Sequence, residues 1–276
     1  MCVGVGRAIR TPVFATFQGA DYQLSKLERP LRPLTIRASA GLIVGARAEA
    51  ERVRLRYRVP EAKLAPISNP IDPEIWQPVD RLVARTALGV AEAALVVAWH
   101  GQVQVWRKGL DVLLDAWETV TARLPDRDLR LVLVGSGEDA GEVRRRIDAK
   151  RLTGVLFVDE WVRDRDRLRT ILSAADLYAF PSRHEGLPVS PLEALACGLP
   201  VVGADAQGVR DVVGGCGIVV PSGDAEALAG AVGALLEDDD RRLALGRDAR
   251  QRAVERFSPN AVGAELRAFL VDRSRP

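Results

Sequence analysis

Apolar patterning along the chain falls into two regimes separated by a proline-rich stretch. In the longer, later regime, short apolar runs at 93–99 (AALVVAW), 129–134 (LRLVLV), 155–158 (VLFV) and 176–180 (DLYAF) read as buried strands, and 201–202 and 218–220 add two more. Between them, apolar residues recur every three or four positions. Leu110, Leu113, Leu114, Trp117, Val120 and Leu124 line one face of a helix over 109–124. Further helices are expected at 138–151, 167–175 and 191–196. Asp224 stands as the N-cap of a helix reaching Leu236, and helical stretches at 241–256 and 260–272 close the chain. Strands alternating with helices predict a parallel sheet wrapped on both faces, with ligands at the carboxyl ends of its strands near the switch point.

The divider is PISNPIDPEIWQP, with prolines at 66, 70, 73 and 78. Each fixes φ and removes an amide donor, so the segment reads as a linker or crossover. Before it, 12–17, 41–44 and 63–67 read as short strands and 46–57 as a helix. Some three strands make only part of an α/β layer, because parallel strands need cover on both faces. The expected division is a partial amino-terminal α/β domain at 1–67, a linker at 68–80, a complete Rossmann-like domain at 81–256 and a carboxy-terminal helix at 257–276.

Composition narrows the class. Of 276 residues, 47% are hydrophobic and 28% charged, which excludes wholesale disorder. Thirty-nine basic residues against 37 acidic leave a net +2, so no charge field argues for nucleic acid or an anionic membrane. Lys26, Lys63, Lys108 and Lys150 are the only lysines; the arginine excess reads as compositional bias rather than a basic patch. Three scattered cysteines, Cys2, Cys197 and Cys216, form no CxxC pair and fit a reducing cytoplasm. Two histidines, His100 and His184, are too few for a zinc cage, so no metal is expected. No run approaches the ~20 apolar residues of a membrane span, and residues 1–20 lack a secretory pattern.

Candidate chemistry concentrates in FPSRHEGLPVSPLEALACGLP at 180–200, where a strand gives way through a loop to a helix. Glu185 and Glu193 stand eight apart, flanking Gly186-Leu187-Pro188-Val189. A glycine permits close backbone approach, and a helix amino end favours a diphosphate; carboxylates suit sugar hydroxyls instead. Structural alternatives stay open. Ser190-Pro191-Leu192-Glu193 fits a capping box, Glu185 fits a solvated loop carboxylate, and His184 fits a surface residue.

EGLPVSPLEALACGLPVV resembles the E-x7-E segment of the family 4 glycosyltransferases, retaining enzymes with the GT-B fold. RKGLDVLLDAW resembles that family's lysine-glycine segment, and LVLVGSGED its strand-turn before the next helix. VLFVDEWVRDRDRLRTILSAADLYAFPS, GDAEALAGAV and SNPIDPEIWQP follow the family order. The resemblance implies a nucleotide-diphosphate sugar as donor, with UDP or GDP by family habit, and hexosyl transfer to an acceptor hydroxyl without metal or bound cofactor. It implies Lys108 and Glu185 as the catalytic residues: Lys108 holds the diphosphate, Glu185 with the backbone amides around Gly186–Val189 contacts the transferred sugar, and Glu193 accepts from the ribose. The acceptor is a glycan, lipid or small molecule, and any membrane contact is peripheral, through that acceptor.

Two departures from the family pattern stand out. Gln102, in His100-Gly101-Gln102, occupies the place of a second diphosphate clamp, usually arginine; a neutral amide cannot replace the charged fork, and Arg107 is a nearby cation that could compensate, though the sequence does not show that it reaches. The family's glycine-rich first loop is missing, and Gln18 replaces a histidine before glycine. The expectation is an amino-truncated glycosyltransferase with an intact donor domain and little transfer activity alone. Two rivals are carried: a non-catalytic nucleotide- or sugar-binding module or pseudoenzyme, and a dinucleotide oxidoreductase. The second rests on Gly135-Ser136-Gly137-Glu138-Asp139-Ala140 as G-x-G-x-x-A with Asp159 at a ribose position. In the glycosyltransferase reading Gln102 and Gly137 are minor donor-binding candidates.

Overall fold

The computed structural model describes residues 11–17, 28–186 and 188–274. Two parallel sheets organise them. The smaller comprises β1 (Phe14–Phe17), β2 (Gly41–Val44) and β3 (Leu64–Pro66) in that spatial order, with helices α1 (Glu28–Ala38) and α2 (Arg47–Tyr57). The larger comprises β4 (Leu95–His100), β5 (Leu129–Val134), β6 (Val155–Val158), β7 (Leu177–Phe180), β8 (Val201–Ala204) and β9 (Gly217–Val220). Its order is β6-β5-β4-β7-β8-β9, so winding reverses between β4 and β7 and opens a crevice beyond their carboxyl ends.

The large sheet is buried on both faces, which is why its strands read as continuous apolar runs. Val97, Trp99, Leu131 and Leu133 enter one core cluster; Val96, Ala98, Val132 and Val134 enter the other. Helices cover both faces: α3 (Arg81–Leu88), α4 (Val105–Lys108), α5 (Leu110–Arg123), α6 (Ala140–Ala149), α7 (Arg165–Ser173), α8 (Ser190–Ala196), α9 (Val209–Val213), α10 (Ala225–Glu237) and α11 (Asp239–Phe257). At the opposite end of the sheet, buried Asp176 accepts from the Val96 amide at 2.7 Å and from the buried Arg85 at 2.7 Å, locking α3 to β4 and β7.

The last helix, α12 (Pro259–Ser274), crosses to the small sheet. Val262, Leu266 and Phe269 pack on Ile43, Ala65 and Ile67, and Phe269 meets Phe14 edge-on at 5.8 Å. This supplies cover that three parallel strands cannot obtain from α1 and α2 alone. Polar contacts also join the halves: the Arg47 amide donates to Asp211 at 2.7 Å, and Gln207 donates to Glu49 at 2.8 Å.

Candidate functional site

A cleft of about 670 Å³ occupies the switch point, walled by the loops leaving β4, β6 and β7. Lys108, Glu185 and Glu193 all face it. Lys108 Nζ lies 2.7 Å from Glu185 Oε1, with both side chains largely buried.

Backbone geometry brings these distant residues together. α4 ends at Gly109, whose φ of 66° is left-handed and whose missing Cβ would lie 2.1 Å from the Pro181 carbonyl oxygen. Only glycine lets the loop after β7 come so near. The Arg183 amide then donates to the Arg107 carbonyl at 3.0 Å. The Arg183 guanidinium forks onto Asp111 at 2.7 and 2.9 Å and donates to the Trp106 carbonyl at 2.8 Å. Hydrogen bonding to Asp111 holds Arg183 above the ordinary arginine range. This staple fixes the loop carrying Glu185 against the segment carrying Lys108.

A second pair forms the floor. His100 Nε2 lies 2.6 Å from Glu193 Oε2. His100 is the last residue of β4, and the Tyr178 hydroxyl donates to its carbonyl at 3.1 Å and accepts from its amide at 3.2 Å. Burial pushes the Tyr178 phenol well above its ordinary value, so it remains a donor throughout the physiological range. The capping box that Ser190-Pro191-Leu192-Glu193 offered as an alternative is not formed. Val189 takes the N-cap position without a side-chain bond, the Ser190 hydroxyl bonds Tyr178, and Glu193 turns to His100. His184 is exposed, as a surface reading implies, and stacks on Trp106 at 5.0 Å.

Pro188, Val189 and the exposed Gln102 line the same cleft; Gly186 does not. Arg107 also lines it, half-buried, with one long contact to Gln104 at 3.4 Å and no carboxylate partner among the described residues. Leu187, Gln18 and Cys2 lie outside the described residues. Gly137 is placed away from the cleft. A Cβ on it would lie 2.3 Å from the Val103 carbonyl oxygen, and one on Gly135 would lie 1.8 Å from that of Gly101. Asp139 accepts from the Val105 amide at 2.8 Å, and Asp159 is engaged by Arg144 at 2.5 Å. Gly135 thus lines the cleft while Gly137 packs one loop on another, so the two glycines of the G-x-G-x-x-A pattern do not together present bare backbone to a dinucleotide.

Among the described residues, no group of three or more His, Cys, Asp or Glu side chains is placed to hold a metal ion. No described helix is long and apolar enough to cross a membrane. Cys197 and Cys216 are buried free thiols. The sequence did not single out His100 or Tyr178, since nothing local marks a strand-end histidine as the partner of a glutamate 93 residues away. Trp161, exposed on the cleft wall after β6, was likewise passed over.

Comparison with known proteins places this geometry. The chain is 34% identical over 234 residues to the D-inositol 3-phosphate glycosyltransferase of Corynebacterium urealyticum, covering 82% of this chain and 55% of that protein. It is 33% identical to the protein of the same name from Jonesia denitrificans, covering 87% and 58%. The chain thus spans little more than half the length of these curated relatives. Among solved structures, Anabaena HepE in complex with UDP superposes with a TM-score of 0.85 at 22% identity, over 98% of this chain and 75% of that one. Sucrose-phosphate synthase from Thermosynechococcus elongatus gives 0.75 at 24%, over 98% and 71%. Both likenesses establish the GT-B-like two-domain architecture. The sequence profile for glycosyl transferases group 1 matches residues 94–238, which hold the whole large sheet and every cleft-facing residue of the two motifs, and the chain belongs to that family.

Proposed function

We propose that the chain binds a nucleotide-diphosphate sugar in the switch-point cleft and serves as the donor half of a retaining hexosyltransferase acting on an acceptor hydroxyl. The observation that carries this is the convergence of Lys108, Glu185 and Glu193, from two separate motifs, on one cleft. Lys108, a compact ammonium, stabilises the negative charge that grows on the leaving diphosphate as the glycosidic bond breaks. In the free protein Glu185 holds that ammonium in place. On donor binding the ammonium turns to the phosphate oxygens, and Glu185 accepts from a sugar hydroxyl. Arg107 adds the second positive charge that Gln102 lacks. Glu193 accepts from the ribose, and the exposed face of Trp161 offers a surface on which a base stacks. The two carboxylates have no part as the acid–base pair of a hydrolase; the attacking hydroxyl gives its proton to a donor phosphate oxygen.

Calorimetry with UDP and GDP tests the site. Lys108→Ala and Glu193→Ala each remove a hydrogen bond to a charged group, and each should weaken binding by roughly 1.5–3 kcal/mol. Unchanged affinity in both variants defeats the assignment. The neutral, exposed Gln102 favours a second reading, binding without transfer. Release of nucleoside diphosphate from a bound nucleotide sugar supports transfer, and saturable binding with no release supports the second reading.

A further inference from the structure

We propose that His100 is a positioning residue that fixes the Glu193 carboxylate and so sets how strongly a nucleotide's ribose hydroxyls are read. The inference rests on the donor-site reading above. Both residues line the cleft, His100 with 8% of its side chain exposed and Glu193 with 17%. A carboxylate at Glu193 accepting across this contact requires a proton on His100 Nε2, which in the neutral ring is the Nε2–H tautomer. Nδ1 is then an acceptor, buried and without a partner among the described residues.

That orphaned nitrogen matters. Packing alone favours an aliphatic residue at the end of a buried strand, and a polar ring with one unsatisfied atom is a net loss there unless its other nitrogen does something useful. The useful contact is the 2.6 Å bond to Glu193. The ring is well braced for it. Its backbone is clamped on both sides by the Tyr178 hydroxyl, and the Tyr178 ring meets the imidazole edge-on at 5.4 Å. Glu193 sits on the short helix α8, where its own amide bonds the Val189 carbonyl at 3.1 Å. A strand end and a helix thus hold the two ends of one hydrogen bond. Oε2 is occupied, and Oε1 has no partner among the described residues. A ribose hydroxyl meets one free, pre-oriented carboxylate oxygen and need not order a swinging side chain.

The test is calorimetry on the whole chain with UDP and GDP and their 2′-deoxy and 3′-deoxy counterparts. The wild type should bind the ribonucleotide more tightly than at least one deoxy form. His100→Val should lower that preference on the order of tenfold while leaving the affinity for that deoxy form unchanged. His100→Gln, whose amide can donate from nearly the same place, should retain the preference to within about threefold. Equal weakening of ribo and deoxy forms by His100→Val means damage to the fold only and overturns the inference. So does a preference that survives His100→Val while Glu193→Ala abolishes it. If Glu193→Ala leaves ribonucleotide binding unchanged, or no nucleoside diphosphate binds, the donor-site reading itself falls. Nitrogen-15 spectra of the wild type give a readout that needs no variant to fold. The His100 ring should carry its proton on Nε2, and that resonance should move when UDP or GDP is added. A proton on Nδ1 alone overturns the inference.

Discussion

Gly109→Ala should separate the two halves of the proposed donor site, and the size of the effect follows from two distances and a control glycine. Gly109 has φ 66°, and Gly89, at the end of α3, has φ 69°. A left-handed backbone costs an alanine ~1–2 kcal/mol at either position. The surroundings differ. A Cβ at Gly89 meets nothing within 4 Å, whereas one at Gly109 would lie 2.1 Å from the Pro181 carbonyl oxygen. Restoring an ordinary contact moves that peptide by about 1 Å in a close-packed region. Pro181 cannot yield alone, because the next residues are held by the Arg183 bonds to Arg107, Trp106 and Asp111. The expected cost is therefore ~1–2 kcal/mol for Gly89→Ala and ~2–4 kcal/mol for Gly109→Ala. Urea denaturation of both variants measures the difference, and calorimetry with UDP or GDP reads its consequence. Gly109→Ala should lose affinity because Lys108 and Glu185 no longer face one ligand, while Gly89→Ala should bind as the wild type does. Equal destabilisation by the two substitutions would refute the idea that carbonyl crowding at Pro181 assembles the site.

Two further expectations come from the cleft and the core. Arg107→Gln should weaken nucleoside diphosphate binding on the order of tenfold, and adding Gln102→Arg to it should restore most of the loss; wild-type affinity in the single variant excludes Arg107 as the second clamp. Burial pushes the Cys197 thiol up to about 12 from an ordinary 9.0, so the folded chain keeps that proton where the unfolded chain releases it. The resulting stabilisation is complete below pH 9 and is lost as pH rises toward 12. Denaturation midpoints should therefore fall between pH 8.5 and 10.5 less steeply in Cys197→Ala than in the wild type, and identical slopes would count against it.

The large sheet was legible because burial on both faces writes itself into the chain as uninterrupted apolar runs, and the strands at 129–134 and 155–158 coincide with β5 and β6. Helices whose polarity runs the wrong way were not. α3 exposes Leu82 and Val83 and buries Arg85, because its arginine serves the Asp176 ion pair while its leucine faces outward. α1 carries Pro33 within it, and α9 has five residues between Gly208 and Gly214, too few to show a period. At the site, residue types were legible and their partners were not. A capping box and a ribose-binding carboxylate leave the same letters at Ser190 and Glu193. The letters do not show that Glu193 bonds His100, because only the strand order puts a residue from β4 beside a helix that follows β7.

The glycines carry the sharper lesson. Gly109, Gly135 and Gly137 lie in segments where a glycine suggests bare backbone offered to a phosphate, yet a Cβ on each would fall within 2.3 Å of a protein carbonyl oxygen. Their immediate role is to let loops leaving β4, β5 and β7 pack against one another. The switch point requires this, since a crevice between diverging strands becomes a binding site only if the loops around it are drawn close enough for side chains from different loops to converge. The 2.7 Å meeting of Lys108 with Glu185 is one product of that convergence. Glycine in these segments is thus a condition for the charged residues to act together, and its loss should be felt by any ligand that the cleft binds.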